Sequence, residues 1–208
     1  MIVLDIETTG TDPKRHSIIE IGAIEFENPR NFFNEKCRIW PGAEIDPGAL
    51  EINGFTIDEI TDTSIITEKE LLEKFNEWIG SIEERTIAGH NVDFDISFLN
   101  EGCKRSGVIH DYGRRKVDQH SLVYAHFLRR NSRPPVREGL SDLNSDVIMS
   151  YVGIPAEPKP HRALNGARYE MEAISRLIYG RSVFDEFSGY EIPEYLRSEQ
   201  SGSFSGKL

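Results

Sequence analysis

The chain has 208 residues, 38% apolar and 28% charged, which suffices for one domain with a sizeable core and a short appendage. No apolar run approaches the roughly 20 residues of a membrane span, so a membrane protein is not expected. A formal net charge of −11 speaks at first against a polyanionic partner. Yet Lys104 to Arg137 holds nine basic residues against Asp111 and Asp118, a local excess suited either to a solvated face or to a phosphate backbone.

Residues 2–6 form a short β-branched apolar run that predicts a buried strand. Residues 17–27 and 31–40 predict two more, joined by a turn at Asn28-Pro29, so the chain opens as an antiparallel meander. Asp46-Pro47-Gly48-Ala49 starts a short helix that ends near Gly54. Residues 67–80 read as an amphipathic helix with Leu71, Leu72, Phe75, Trp78 and Ile79 on one stripe and a Thr67/Glu70 capping box. A strand at 86–88 leads into Gly89, a helix follows over 92–103, then a strand at 116–118 and a helix over 119–130. Residues 131–139 read as an irregular arginine- and proline-rich loop, and 140–152 and 163–179 as helices separated by a proline-rich turn. Beyond Gly180, Phe184, Phe187, Tyr190, Ile192 and Tyr195 predict a packed C-terminal extension over 181–197, and 198–208 reads as a disordered tail. The sum is an α/β architecture with a mixed central sheet.

Met1 runs directly into Ile-Val-Leu-Asp with no basic region, and Cys37 and Cys103 lack metal-ligand spacing. Free thiols in a reducing, cytoplasmic setting are the expectation.

Three segments carry chemistry. Asp5 and Glu7 are two apart on a strand, so their side chains share a face, with Cβ atoms about 6.5–7 Å apart. Taken alone, Asp-x-Glu more often marks an exposed strand end. Asp95 falls in the first turn of the helix after Gly89-His90-Asn91, where a plain helix-dipole role is open to it and equally to Asp93. His161 opens His161-Arg162-Ala163-Leu164-Asn165-Gly166-Ala167 at a helix start.

In this order and at these separations, the three segments resemble the DEDDh-type 3′–5′ exonucleases, the group of the replicative proofreading subunit, RNase T and oligoribonuclease. The resemblance spans roughly residues 1–180 and implies an RNase H-like fold, a mixed five-stranded sheet flanked by helices. It implies two divalent cations, Mg²⁺ or Mn²⁺, held by Asp5, Glu7 and Asp95, with His161 as general base for the attacking water. Single-stranded or frayed DNA or RNA 3′ ends would be trimmed to nucleoside 5′-monophosphates, with a polymerase or another nucleic-acid-processing complex as partner. Thr8, Thr9, Gly10, His90, Asn91 and Phe94 would line the nucleotide site, Ile52 or Phe55 would wedge against terminal bases, and Asp118 would support the site. The pattern departs at its fourth carboxylate, where this chain has Gly166. Inside a helix, glycine costs about 0.5–1 kcal/mol, so folding gives no obvious reason for it. Glu170, one turn on, is a possible substitute ligand. Two readings therefore stay open: an exonuclease with impaired turnover, and an inactive nucleic-acid-binding or interaction module on the same fold.

Overall fold

Seven residues, Ile2–Thr8, form β1 at the centre of a five-stranded sheet, in a computed structural model that describes residues 1–110 and 112–197. The other strands are β2 (Ile18–Glu25), β3 (Phe32–Lys36), β4 (Ile87–Gly89) and β5 (Lys116–Asp118), in the order β3-β2-β1-β4-β5. The first three are antiparallel, and β4 and β5 run parallel to β1, so the sheet is mixed as expected. Helices α1 (Pro47–Asn53), α2 (Ile57–Thr61), α3 (Glu68–Gly80), α4 (Val92–Ser106) and α5 (Gln119–Arg129) come before a small hairpin of β6 (Val136–Arg137) and β7 (Leu140–Ser141). Then follow α6 (Ser145–Tyr151), α7 (Ala163–Tyr179), a 3₁₀ turn at Asp185–Phe187 and α8 (Glu194–Arg197).

Alternation along β1 decides where the acids go. Ile2, Leu4 and Ile6 enter the core under α3 and α4, with Leu71, Leu72, Phe75, Phe98 and Leu99. Val3 enters the opposite core with Ala167, Met171 and Ile174 of α7. With a period of two, Asp5 and Glu7 share the face of Val3 and therefore point toward α7. The α3 stripe is buried as its spacing predicts, each large side chain contributing about 1.5–3 kcal/mol, and the Thr67/Glu70 capping box is formed.

Helix α7 sits directly on β2. A Cβ on Gly22 would lie 2.1 Å from the carbonyl carbon of Ala163 and the nitrogen of Leu164, so only glycine admits this approach. Gly22 is the register partner of Asp5, which brings the start of α7 beside that carboxylate. Glu20, paired across the strands with Glu7, accepts from the Ala163 amide at 3.0 Å and fixes the helix start. Farther along α7, the fully buried Arg176 pairs with Glu172 at 2.6 Å and donates to the carbonyls of Val152, Phe187 and Tyr190. Glu172 accepts in turn from the Val183 and Phe184 amides, so residues 181–197 are tied to α7 from within.

Three local expectations need correction. The stretch expected as an irregular loop at 131–139 ends in the β6–β7 hairpin, whose two turn residues, Glu138 and Gly139, have φ of 53° and 83°. The helix expected over 140–152 therefore starts only at Ser145, capped by the Asn144 side chain on the Val147 amide. Helix α2 was not anticipated, although Thr56 and Glu59 form a capping box in front of it. The tail expected to be disordered, 198–208, lies outside the described residues.

Candidate active site

Asp5 and Glu7 leave β1 toward α7, and Asp95 comes up from the first turn of α4. Asn91, between β4 and α4, adopts φ 52°, a left-handed conformation that asparagine tolerates and that turns the chain sharply into the helix. Asp95 is 4% exposed, with backbone hydrogen bonds at Ile6 and at its own amide. From α7 comes Glu170, 7% exposed, which accepts from the His90 amide. Its Oε2 is buried and has no hydrogen-bond partner among the described residues.

Burial and crowding set the electrostatics. Desolvation pushes the Asp5 carboxyl well up, and the neighbouring charges of Glu170, Asp95, Glu7 and Glu157 push it further. Glu7 rises to about 8, first through burial, then through Glu20 and Glu157, against hydrogen bonding from Asn53 and the positive charge of Arg162. Asp95 and Glu170 are raised for the same reasons. Carboxylates gathered this way favour a neutralising cation, and an all-oxygen donor set suits Mg²⁺ or Mn²⁺. The orphaned Glu170 oxygen fits that need. Among the described residues, no group of three acids, histidines or cysteines is already drawn together at metal-holding spacing, so the donors match a cation in kind but do not form a ready cage.

The structure supplies a reason for Gly166 that the sequence did not. A Cβ at this position would lie 2.1 Å from Asp5 Oδ2 and 2.8 Å from its Cγ. Asp5 leans into the space where a side chain at 166 would begin.

His161 is half-buried, its amide donating to the Ile52 carbonyl at 3.1 Å and its Nδ1 lying 3.9 Å from Glu157 Oε2. Arg162 lies over the Phe55 ring at 4.3 Å and bonds the Asn53 carbonyl. Asn53 also donates to the Thr8 carbonyl at 3.1 Å, tying α1 to the end of β1.

The expected substrate-facing residues divide. Asn91 is exposed, its side chain not spent on capping α4, and Ile52 is 44% exposed. Phe94 and His90 are half-buried, Phe94 packed on Phe98 at 4.9 Å. Thr8 is buried, with its hydroxyl on the Gly10 carbonyl. Two positions depart from expectation. Thr9 is fully buried, donating to the Glu44 carbonyl and accepting from the Ser17 amide, so its side chain has no face for a ligand. Phe55 is buried under Arg162 and Lys36 with Ile19 and Ile60, which leaves Ile52 as the candidate wedge. At Gly10 the close neighbour is the His16 ring, 2.3 Å from where a Cβ would be. Asp118 caps α5 through the Ser121 amide and accepts from the Val92 amide, which fits a supporting place.

Sequence reading missed Glu20, Asn53 and Glu157. Glu20 sits in an alternating isoleucine strand and is 2% exposed, and a buried acid there was the available signal. Glu157, hidden among prolines, had none beyond standing four residues before His161. The basic stretch is largely committed: Arg105 to the buried Glu68, Lys116 to Asp93, Arg137 to Asp142, and Arg130 over the Tyr195 ring. Arg114, Arg115 and Arg133 stay exposed.

Comparison with known proteins agrees with this arrangement. The sequence profile of an exonuclease family, RNase T in type, matches residues 2–174. The PolC-type DNA polymerase III of Thermotoga maritima is 29% identical over 177 residues, covering 85% of this chain. The match takes up 12% of the polymerase, so the chain spans a small part of that relative's length. Among solved structures, E. coli exonuclease I in complex with a 5cy-dT13 oligonucleotide aligns with a TM-score of 0.66 at 19% identity, over 86% of this chain and 41% of that one. The nuclease domain of 3'hExo, a DEDDh family member bound to rAMP, aligns with a TM-score of 0.67 at 15% identity, over 93% of this chain and 95% of that one. These likenesses show the RNase H-like fold. The profile match across most of the chain, on a site assembled from Asp5, Glu7, Asp95 and the His161 segment, places this chain in the exonuclease family, within its DEDDh-type 3′–5′ superfamily.

Proposed function

We propose that this domain removes nucleotides one at a time from the 3′ end of single-stranded or frayed DNA or RNA, using two divalent cations, Mg²⁺ or Mn²⁺, and releasing nucleoside 5′-monophosphates. The observation that carries the reading is the convergence of Asp5, Glu7, Asp95 and Glu170, from β1, α4 and α7, on one buried acidic pocket. When bound, the cations supply Lewis-acid activation and charge neutralisation at the scissile phosphate. Asp5, Glu7 and Asp95 hold them, and Glu170 adds a further carboxylate on the Asp95 side. His161, fixed through its backbone to Ile52, takes the proton of the attacking water. Asn91 and Ile52 present polar and apolar contacts to the terminal nucleotide. Loss of a carboxylate at position 166 bears on rate, because the cations are held by fewer groups from α7.

The polymerase relative supports a place within or beside a replicative or other nucleic-acid-processing complex. No helix among the described residues is long and apolar enough to cross a membrane, and a cytoplasmic setting suits such a partner.

Single-turnover reaction of a 5′-labelled oligonucleotide tests the reading. The expected result is a ladder shortened stepwise from the 3′ end, with Mg²⁺ or Mn²⁺, absent for Asp5→Asn. Tight oligonucleotide binding with no shortening would replace the enzyme by the binding module, and internal cuts would refute exonucleolytic action.

A further inference from the structure

Resting on that nuclease reading, we infer that Glu157, held by Asn165, supplies the carboxylate that position 166 lacks, completing a cation position between Asp5 and Glu7. Neither residue belongs to the four acids and histidine of the family pattern.

The argument begins with what α7 can offer. Its surface at residue 166 is bare, and the Asp5 carboxyl occupies the space above it. The next acid on the helix, Glu170, is directed elsewhere: it accepts from the His90 amide, and its Oε2 lies 3.1 Å from where a Cβ on Gly89 would be, at the end of β4. Glu170 therefore serves the side of the pocket that holds Asp95. The side that holds Glu7 receives no carboxylate from α7.

Glu157 fills that gap from the loop before the helix. Its Oε1 accepts from Asn165 Nδ2 at 2.8 Å, and the Arg162 amide also bonds the carboxylate. Asn165 is the residue immediately before Gly166, so the clamp stands next to the missing side chain. The Glu157 side chain is 13% exposed, and its charge is felt by Asp5, Glu7 and Glu170 alike. A carboxylate needed only to cap the start of α7 would sit better in water. Burying it against other acids is unfavourable unless a cation is shared among them. The orphaned, buried Oε2 of Glu170 marks independently that this pocket lacks a positive partner. Each half of the pocket then has three carboxylates with Asp5 common to both: Glu7 and Glu157 on one side, Asp95 and Glu170 on the other.

Calorimetric titration with Mn²⁺ alone, without nucleic acid, tests this on the full chain, with thermal melts to confirm that each variant folds. Glu157→Gln is expected to weaken Mn²⁺ binding at least tenfold, and Asn165→Ala severalfold. Adding Gly166→Asp to Glu157→Gln should restore most of the affinity, since the family position then carries the charge. Unchanged Mn²⁺ affinity in Glu157→Gln would overturn the inference while leaving the nuclease reading standing. Lost trimming at unchanged affinity would also overturn it, making Glu157 a positioning partner of His161. No Mn²⁺ binding by the unaltered chain would remove the nuclease reading as well.

Discussion

Gly22→Ala adds one methyl group far from any acidic side chain of the sequence pattern, yet it should damage both folding and turnover. The new Cβ would lie 2.1 Å from backbone atoms of Ala163 and Leu164. Carbon contacts are comfortable at about 3.5–4.0 Å, so the start of α7 must retreat by about 1.5 Å. Overpacking of this kind costs about 1–3 kcal/mol, and the upper end applies because the obstacle is backbone rather than a side chain that can rotate. The retreat stretches the Glu20 bond to the Ala163 amide and carries Gly166 and the His161 segment away from Asp5. Displacing catalytic groups by about 1 Å can cost on the order of 100-fold in rate. Urea unfolding should show the lower midpoint at an unchanged slope, and single-turnover trimming should show the rate loss with Mn²⁺ saturating. A variant with unaltered midpoint and rate would refute the claim that contact at Gly22 sets the position of α7.

Two further outcomes follow from buried charge. Arg176→Met leaves Glu172 buried without its cation and frees three carbonyls, so unfolding free energy should fall by about 3–5 kcal/mol, with part regained in the Glu172→Gln/Arg176→Met double variant. A loss under about 1 kcal/mol would show that the pair does not anchor residues 181–197. The acidic pocket makes metal-free stability depend on pH. Glu7 titrates at about 8 in the fold, and Asp5, Asp95 and Glu170 are raised too, so the folded chain holds more protons than the unfolded one between about pH 4.5 and 8. Stability in chelator is therefore full below that window and lost as pH rises through it. Added Mn²⁺ should raise the melting temperature most at the alkaline end, where it no longer competes with protons. A melting temperature in chelator that climbs from pH 5 to 8 would contradict the raised carboxyls.

Much of this arrangement could be read before any coordinates. Alternation in Ile2–Glu7 predicted a buried strand with two acids on one face, and the stripe and capping box of α3 were local enough to be read directly. The site residues Asp5, Glu7 and Asp95 were legible because a motif fixes residue types and their order. What stayed hidden depended on tertiary approach. Gly166 looked like a costly gap until the Asp5 carboxyl was found lying over it, and Phe55 looked like a wedge until Arg162 and Lys36 covered its ring. Glu157 belongs to a proline-rich turn with no periodicity, so its position beside His161 comes from how the turn folds back onto α7. The β6–β7 hairpin escaped because its strands are two residues each, too short for alternation to register.

Crystals soaked in Mn²⁺ with a nucleoside 5′-monophosphate, measured at the manganese absorption edge, give the most direct test of the central claim. Two anomalous peaks are expected, both against Asp5, one also touching Glu7 and the other near Asp95, with the nucleotide phosphate between them and the His161 ring at its edge. A fully loaded crystal with no manganese at Asp5, or with the ions bound elsewhere, would contradict the account.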